Sequence, residues 1–496
     1  MSYKRYQEIM AKIADVNYAS SVLSWDQETY MPEKGAETRA QQLSTLAGIS
    51  HELSTANELG EVLEKLSNDA SLDAKQKKNI SESLKDYKDR KKYSTAFVQQ
   101  MSKSISECFQ SWQKAKKENN FSLYAPHLEK LVKLKREECE LLGYENHPYN
   151  AMLNQYEPKA KTADIEILFK NVRHQLVDFV KKISEKPQNN EAFMHTHFPK
   201  DKQWDFGIDL LKQMNYDFNG GRQDISSHPF TTSFGVNDVR VTTRINENNL
   251  NEMIWSCIHE GGHGLYEQGL NADDYGLPTG EAISLGIHES QSRLWENNVG
   301  RSRAYWKANY KLAQKYFPEN LKNVSEEDFY KAANIVKPSL IRTSADELTY
   351  HFHVMIRFEI EKALIEGSIE VKDLPSYWNK KYKEYLNIDV PNDSEGVLQD
   401  IHWSHGSFGY FPTYSLGSFY AAQFFAQAQK EIPNLEDLIS KGEMLPLLNW
   451  LREKIHRFGK LYSAEELCIK VTGEKLNFDH FMNYAKTKYG NLYNLS

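Results

Sequence analysis

Apolar residues recur at three- and four-residue spacing along most of this sequence, and that period is the strongest constraint on its fold. Such runs, rich in Lys, Glu, Gln and Ala, favour amphipathic helices. Pro and Gly, at 15 and 25 of 496 residues, lie mainly between the runs. The runs before the middle of the chain are 3–24, 36–53, 58–68, 74–115, 123–141, 162–185 and 202–213. Helical patterns resume near Leu250 and continue to the C-terminus, so the sequence predicts a mainly α fold.

Strand signals are concentrated in the segment Phe230–Arg244. Val239, Val241 and Thr243 alternate there after a turn at Gly235–Asp238, which predicts a short hairpin. The sequence contains no internal repeat, low-complexity tract or long Gly/Ser linker. We therefore expect one catalytic domain over residues 1–496, a single large helical body with a small β-sheet beside its active site.

Composition restricts the environment and the partners of the chain. Sixty-one basic and 68 acidic side chains give a net charge of −7, which argues against a nucleic-acid partner. The four cysteines show no CxxC spacing, which favours a reducing compartment. The N-terminus lacks the apolar core of a signal peptide, and no run of about 18 apolar residues predicts a membrane span. The expected location is the cytoplasm.

Residues 259–263 read His-Glu-Gly-Gly-His and match the pattern HExxH. On a helix, residues four apart share one face, so His259 and His263 can reach a single ion. Glu260 projects along a different radius and can hold a water on that ion. Zinc lowers the pKa of such a water to about 7 and polarises a carbonyl, and the carboxylate takes the proton. The motif predicts a hydrolytic zinc centre, in which cobalt or manganese could replace zinc.

The segment around this motif has a helical pattern that its glycines weaken. Leu250 begins an apolar stripe at helical period, and Asn248 or Asn249 is suited to cap its start. Three glycines follow within four positions, and each costs about 0.5–1 kcal/mol relative to Ala in a helix. We expect a substrate backbone or a neighbouring element to approach the helix closely there; the three glycines are Gly261, Gly262 and Gly264.

A catalytic zinc needs a third protein ligand and an open position. The extended pattern HExxHxxGxxH is excluded, because Tyr266 and Gly269 stand where it requires Gly and His. The alternative is a ligand on a following helix, and the helical pattern over 280–296 contains four candidates. Spacing alone does not choose between Glu289 and His288. The four candidates are Glu281, His288, Glu289 and Glu296.

Beyond HExxH, ordered motifs along nearly the whole chain resemble the carboxypeptidase Taq family of zinc metallocarboxypeptidases. The segment 24–39 resembles the opening signature of the family, and 288–291, His-Glu-Ser-Gln, follows HExxH as in its members. The other matching segments are His228-Pro-Phe-Thr231, Asp238-Val-Arg-Val-Thr242, Ile341-Arg-Thr-Ser-Ala-Asp346, Gly396-Val-Leu-Gln-Asp-Ile-His-Trp403 and Gly409-Tyr-Phe-Pro-Thr-Tyr414. No motif position departs from the family pattern.

The resemblance implies a fold, an activity and a ligand set. The fold would be a mostly helical, neurolysin-like body with a deep groove. Members remove single residues from peptide C-termini with broad specificity, disfavour C-terminal proline and are commonly homodimers. By motif position, one zinc per chain would be bound by His259, His263 and Glu289, with Glu260 as the catalytic carboxylate. The resemblance thus selects Glu289 over His288.

A carboxypeptidase also needs a fixed cation for the terminal carboxylate of its substrate. Arginine suits this task, because its planar guanidinium holds a carboxylate through two hydrogen bonds. Arg342 is the first choice and Arg240 the second. Asp346, one turn after Arg342 on a predicted helix, is expected to orient that guanidinium.

The remaining candidates are aromatic side chains near the C-terminal motifs. A tyrosine hydroxyl could stabilise the oxyanion of the intermediate, and Tyr410 and Tyr414 are the candidates. His228 and His402 are further candidates for substrate binding, although a single His beside Pro or Trp is more often structural. Two rival functions remain: a zinc endopeptidase or oligopeptidase with the same site, and a helical binding protein with a vestigial metal motif.

Overall fold

The computed structural model describes residues 2–495 and consists mainly of helices, which confirms the predicted fold class. Among these residues no helix combines the length and the apolarity that a membrane span requires. The first ten helices are α1 (Tyr3–Thr29), α2 (Ala36–Ser54), α3 (Asn57–Ser67), α4 (Ala74–Lys91), α5 (Thr95–Glu118), α6 (Ala125–Leu142), α7 (Tyr149–Tyr156), α8 (Thr162–Ser184), α9 (Lys200–Gln213) and α10 (Leu250–Glu267). The others are α11 (Leu285–Arg293), α12 (Arg303–Tyr316), α13 (Glu326–Ala332), α14 (Tyr350–Glu366), α15 (Leu374–Leu386), α16 (Pro412–Glu431), α17 (Leu435–Ser440), α18 (Leu445–Lys454), α19 (Ala464–Thr472) and α20 (Asp479–Leu492).

The prediction of one helical run over 74–115 is wrong in one respect, because the structure has two helices there, α4 and α5. The chain leaves helical geometry after Lys91, and the Ser94 hydroxyl then accepts a hydrogen bond from the Phe97 N–H at the start of α5. A serine cap starts a new helix by satisfying one of its unpaired N–H groups. The short helix α7 lies in a stretch for which the sequence predicted no helix.

The sheet has three strands, β1 (Gly221–Ile225), β2 (Thr231–Ser233) and β3 (Val239–Thr243), in the order β1-β3-β2. Strands β2 and β3 are antiparallel, which confirms the predicted hairpin. Strand β1 lies parallel to β3 and was not predicted. Its sequence, Gly-Arg-Gln-Asp-Ile, lacks the β-branched alternation that indicates a strand, so pairing with β3 decides its conformation.

The central strand β3 connects the sheet to α10. Val239 and Val241 are buried, and the Thr243 hydroxyl is 2.8 Å from that of Ser256 on α10. The sheet therefore lies beside the helix that contains the HExxH motif, as the sequence predicted.

The chain forms two compact units. The first contains residues up to Lys91, 189–333 and 420–477, and so includes the sheet, α10 and α11. The second contains residues 92–188, 334–419 and those from Phe478 onward. Each cluster described below lies within one unit. The expectation of one catalytic domain over residues 1–496 stays a prediction.

Candidate metal centre

Helix α10 carries His259, Glu260 and His263 and is fixed by its buried face. The Asn249 side chain accepts from the Asn251 N–H and caps the helix, as predicted. The apolar stripe packs into the core through Leu250, Met253, Ile254, Cys257, Ile258 and Leu265, each no more than 1% exposed. Burial of this stripe stabilises the helix more than its glycines weaken it, since each buried aliphatic side chain contributes about 1.5–3 kcal/mol.

The glycines of the motif allow neighbouring elements to approach α10. A Cβ at Gly262 would lie 2.7 Å from Cα of Ser292 and 2.8 Å from the carbonyl oxygen of Gln291, both backbone atoms of α11. A Cβ at Gly261 would lie 2.6 Å from the Leu211 side chain. A Cβ at Gly264 would lie 2.8 Å from the Tyr216 side chain. Of the two explanations that the sequence left open, a neighbouring element fits all three positions.

The close contact at Gly262 brings Glu289 on α11 towards both histidines. One carboxylate oxygen of Glu289 lies 3.6 Å from Nε2 of His259 and 3.4 Å from Nε2 of His263. One potential ligand atom from each of the three residues lies within 4.8 Å of the others. The structure therefore groups the three residues that the resemblance implied as ligands.

The outer nitrogen of His259 contacts a carboxylate. Its Nδ1 lies 2.8 Å from Glu296, which also pairs with Arg293 and Arg301 at 3.2 and 3.1 Å. Glu296 belongs to a π-helical stretch, Leu294–Gly300, that continues α11. Glu296 can only accept, so in the neutral imidazole Nδ1 carries the proton and the lone pair of Nε2 faces Glu289.

The outer nitrogen of His263 contacts a second histidine. Its Nδ1 lies 2.5 Å from Nδ1 of His288, and Nε2 of His288 lies 2.7 Å from Glu267. The Glu267 carboxylate can only accept, so a neutral His288 donates to it through Nε2 and accepts through Nδ1. His263 then donates through Nδ1, which leaves its Nε2 lone pair facing Glu289. His288, the alternative to Glu289 that spacing left open, thus contacts the candidate ligand His263. It is not one of the three residues that face one another.

This arrangement of acceptors fits a divalent metal ion. Two imidazole lone pairs and a carboxylate oxygen face one another, and such groups repel unless a cation lies between them. Two nitrogens and one carboxylate oxygen are a donor set that zinc accepts at catalytic sites. Although burial alone would raise the pKa of Glu289, the Arg293 guanidinium, 2.6 Å away, holds it well below its usual range. Glu289 is therefore ionised and ready to bind a cation.

Glu260 lies beside this group and is fixed by the sheet. Its carboxylate accepts a 2.6 Å hydrogen bond from the Thr231 hydroxyl on β2, and only 6% of the residue is exposed. Burial raises the pKa of Glu260 above its ordinary value. A buried carboxylate with a raised pKa takes a proton more readily than an exposed one.

Several residues of this site were missed by sequence reasoning. Arg293, four residues after Glu289 and three before Glu296, shows the spacing of a helical ion pair with each, and that signal could have been used. Thr231 gave no such signal, because its hydrogen bond to Glu260 depends on how the sheet packs against α10.

In the second unit, Arg342 lies on a short 3₁₀ turn, Arg342–Ser344, and not on the predicted helix. Its Nε donates to Asp400 at 2.9 Å, and Nη1 donates to the Tyr350 hydroxyl at 2.9 Å. The expectation that Asp346 orients Arg342 is wrong. The Asp346 carboxylate instead accepts from the Thr349 hydroxyl and N–H at 2.5 and 3.0 Å, at the start of α14.

Asp400 is shared between two buried guanidiniums. It accepts from Nε of Arg357 at 2.6 Å as well as from Arg342, and the two arginines are 0% and 7% exposed. Within residues 2–495, Asp400 is the only carboxylate that pairs with either arginine. Burial and then Arg342 lower the pKa of His402 to about 3, so that imidazole is neutral. The paired groups therefore retain a net positive charge.

The aromatic candidates of the second unit surround His402. Nε2 of His402 lies 3.2 Å from the Tyr414 hydroxyl, and the Tyr410 ring centroid lies 5.3 Å from that of His402. The rings of Tyr410 and Tyr414 are 5.2 Å apart. The structure thus brings three of the predicted substrate-side residues into one cluster.

The two candidates in the first unit are arranged differently. Arg240 pairs with Asp238 through two 2.9 Å hydrogen bonds, and its guanidinium lies over the rings of Trp25 and Phe234 at 4.4 and 4.9 Å. Its guanidinium is thus engaged within the sheet region. His228 is exposed in the loop before β2.

Comparison with known proteins defines the family. Residues 5–489 match the family described as carboxypeptidase Taq (M32) metallopeptidase. The chain belongs to this family. It is accordingly a metallocarboxypeptidase that acts on peptides and uses a metal cofactor.

The similarity extends over whole chains. Carboxypeptidase 1 of Bacillus subtilis is 37% identical and is matched over 99% of this chain and 98% of its own length. The M32 carboxypeptidase of Deinococcus radiodurans has a solved structure with a TM-score of 0.98 at 36% identity, covering 99% of each chain. Another solved structure, "The Structure of CHT", is 58% identical with a TM-score of 0.96, covering 98% of this chain and 99% of that chain.

Proposed function

We propose that this protein is a zinc-dependent carboxypeptidase that releases single C-terminal residues from peptides with broad specificity. The observation that carries the proposal is the convergence of two imidazole Nε2 atoms and a Glu289 oxygen beside the buried carboxylate of Glu260. The test is mass spectrometry of a mixed peptide set after incubation with the enzyme. Successive loss of C-terminal residues, abolished by a chelator and restored by zinc, is expected; internal cleavage would contradict the proposal.

The metal would be held by His259, His263 and Glu289. When bound there, zinc supplies a Lewis acid that polarises the scissile carbonyl and makes a water more acidic. Cobalt or manganese could replace it, because neither donor type is specific for zinc. The surrounding residues keep both Nε2 atoms directed inward through Glu296 and His288.

Proton transfer is assigned to Glu260. The Thr231 hydroxyl holds its carboxylate in one orientation, and burial raises its pKa. We infer that Glu260 accepts a proton from the attacking water and then delivers it to the leaving amine nitrogen. A hydroxyl donor would stabilise the oxyanion that forms on the substrate carbonyl. Tyr410 is proposed as this donor. Tyr414 and His402, which lie beside it, are proposed to bind the substrate.

Recognition of the terminal carboxylate is assigned to Arg342. Two buried guanidiniums share one carboxylate, and a buried excess charge is costly unless a partner of opposite charge binds. A substrate carboxylate would supply that partner. Arg240 remains the second candidate, although Asp238 already neutralises it. His228, exposed before β2, remains a substrate-binding candidate on the basis of its motif.

The assignment of Arg342 predicts a change in substrate preference. Arg342→Lys keeps the charge but loses the planar pair of donors, so kcat/KM for peptides with a free C-terminus should fall about 100-fold. Peptides with a C-terminal amide should be poor substrates for both forms. Steady-state kinetics on matched acid and amide peptides measures this. An enzyme that cleaves both equally would instead be the rival endopeptidase or oligopeptidase.

The contact between His263 and His288 predicts a change in metal affinity. His288→Leu removes the acceptor that orients His263, so the Kd for zinc should rise about 10- to 100-fold. Competition with a chromophoric chelator measures that Kd. His174→Leu, at an exposed position of α8, is the control and should leave it unchanged. Equal affinity in both variants would contradict this role of His288.

The proposal extends to assembly and location. We propose a homodimer, from the resemblance to the family, and sedimentation of the purified protein tests it. A cytoplasmic location is consistent with the four cysteines, which are all buried and unpaired with one another among the described residues.

A further inference from the structure

Glu361 on α14 is a fully buried carboxylate that forms no ion pair within the described residues, although the charge of Arg357 acts on it. It is 0% exposed, and among residues 2–495 no Lys, Arg or His side chain forms an ion pair with it. Burial raises its pKa to about 7. Because a buried carboxylate is costly without compensating contacts, the contacts of this group identify its task.

Three neutral donors compensate the burial of Glu361. One carboxylate oxygen accepts from the Tyr149 hydroxyl at 2.6 Å and from the Gly409 N–H at 2.9 Å. The other accepts from the indole N–H of Trp403 at 2.8 Å. Two of the three donors thus belong to one short segment of the chain, residues 403–409.

The ends of this segment adjoin two residues of the proposed site. Trp403 directly follows His402, and Gly409 directly precedes Tyr410. The carboxylate of Glu361 therefore bridges the two ends of the loop between these side chains. The rings of His402 and Tyr410 remain 5.3 Å apart at the ends of the bridged segment.

A second contact, with the main chain of α7, restricts the Gly409 end. Gly409 has a φ of +93°, and a Cβ there would lie 2.6 Å from the carbonyl carbon of Met152 on α7. Tyr149, the third donor to Glu361, begins the same helix. The backbone before Tyr410 is thus held by two contacts, one with the α7 main chain and one with the Glu361 carboxylate.

We propose that Glu361 is a positioning residue for substrate binding and turnover. Its hydrogen bonds with both ends of segment 403–409 fix the positions of His402 and Tyr410 relative to each other. The proposal rests on the proposed function of those two residues. Glu361 acts through the segment and does not itself touch the substrate.

Glu361→Gln tests this role through its hydrogen-bond chemistry. A carboxamide has one acceptor oxygen and one donor NH₂, whereas the carboxylate has two acceptor oxygens. Trp403 and Gly409 donate to different oxygens, and neither an indole nor a peptide N–H can accept. No orientation of the amide can accept both of these hydrogen bonds, so one end of the segment loses its hydrogen bond to residue 361. The Tyr149 hydroxyl can rotate and accept, so its bond survives.

Two matched variants separate positioning from general loss of stability. Tyr149→Phe removes one donor to Glu361 but keeps both tethers of the segment. Glu359→Gln makes the same chemical change on the same helix, where the carboxylate contacts Lys381 and Tyr385 instead. Neither control residue belongs to the proposed site.

The experiment combines kinetics with hydrogen exchange on the zinc-loaded full chain, below the unfolding temperature of every variant. Glu361→Gln should lower kcat/KM about 10-fold or more, the cost of one unsatisfied buried donor, and should speed amide exchange within 403–409. Both controls should stay within about 3-fold in kcat/KM. A purely structural role predicts a lower unfolding midpoint with unchanged kcat and KM, and that result would overturn the proposal. Equal losses of kcat/KM in Glu361→Gln and Glu359→Gln would overturn it as well.

Failure of the proposed function is distinguishable from failure of this inference. A wild-type enzyme that releases no C-terminal residue from any peptide refutes the proposed function. The exchange measurement still tests the role of Glu361 in that case. Unchanged amide exchange within 403–409 in Glu361→Gln would show that Glu361 does not hold this segment in place.

Discussion

Glu260→Gln should leave metal binding intact while kcat falls by about 10²- to 10⁴-fold, the contribution typical of a general base. Glutamine has nearly the same shape and keeps an oxygen that can accept the 2.6 Å hydrogen bond from Thr231. It cannot take a proton from water, however. The fall should therefore appear in kcat, with KM changed little, since the group acts in the chemical step.

The measurement is steady-state kinetics together with the metal content of each purified variant. Glu252→Gln is a matched control on the first turn of α10, where the carboxylate contacts Arg244 and Asn246. That variant should stay within about 2-fold of the wild type in kcat, because half-buried Glu252 is not part of the proposed site. A Glu260→Gln enzyme with full metal content and wild-type kcat would remove Glu260 from the mechanism.

Local patterns in the sequence predicted the parts of the fold that depend on local chemistry. The helical period and a capping asparagine located α10, and alternating Val239 and Val241 located the hairpin. The break at Ser94 was missed because the helical pattern on both sides is continuous, although a serine cap was present. Strand β1 was missed because its own residues do not favour a strand.

Contacts between distant segments were beyond the reach of spacing arguments. Asp346 was expected to orient Arg342 because it lies four residues away, but Asp400, which follows 58 residues after Arg342, makes that contact. The choice between Glu289 and His288 likewise came from resemblance and not from spacing. Both are adjacent on α11, and only the crossing of α10 and α11 decides which side chain lies between the two histidines.

That crossing is the basis of the second large prediction, for Gly262→Ala. A Cβ would lie 2.7 Å from Cα of Ser292 and 2.8 Å from the Gln291 carbonyl oxygen, and backbone atoms cannot rotate away. The two helices must therefore separate by several tenths of an ångström. Overpacking of this kind costs about 1–3 kcal/mol of unfolding free energy. Because Glu289 is on the displaced helix, zinc affinity should also fall at least about 10-fold.

A second glycine within a helix supplies a control of opposite sign. Gly48 lies in α2, and a Cβ there would meet nothing within 4 Å. Gly48→Ala should therefore stabilise the protein by about 0.4–1 kcal/mol, because alanine restricts the unfolded chain. Denaturant unfolding of the metal-free proteins and chelator competition for zinc measure both effects. Should Gly262→Ala bind zinc as tightly as Gly48→Ala does, the position of Glu289 would not depend on the close crossing of α10 and α11, and the glycines of the motif would need another explanation.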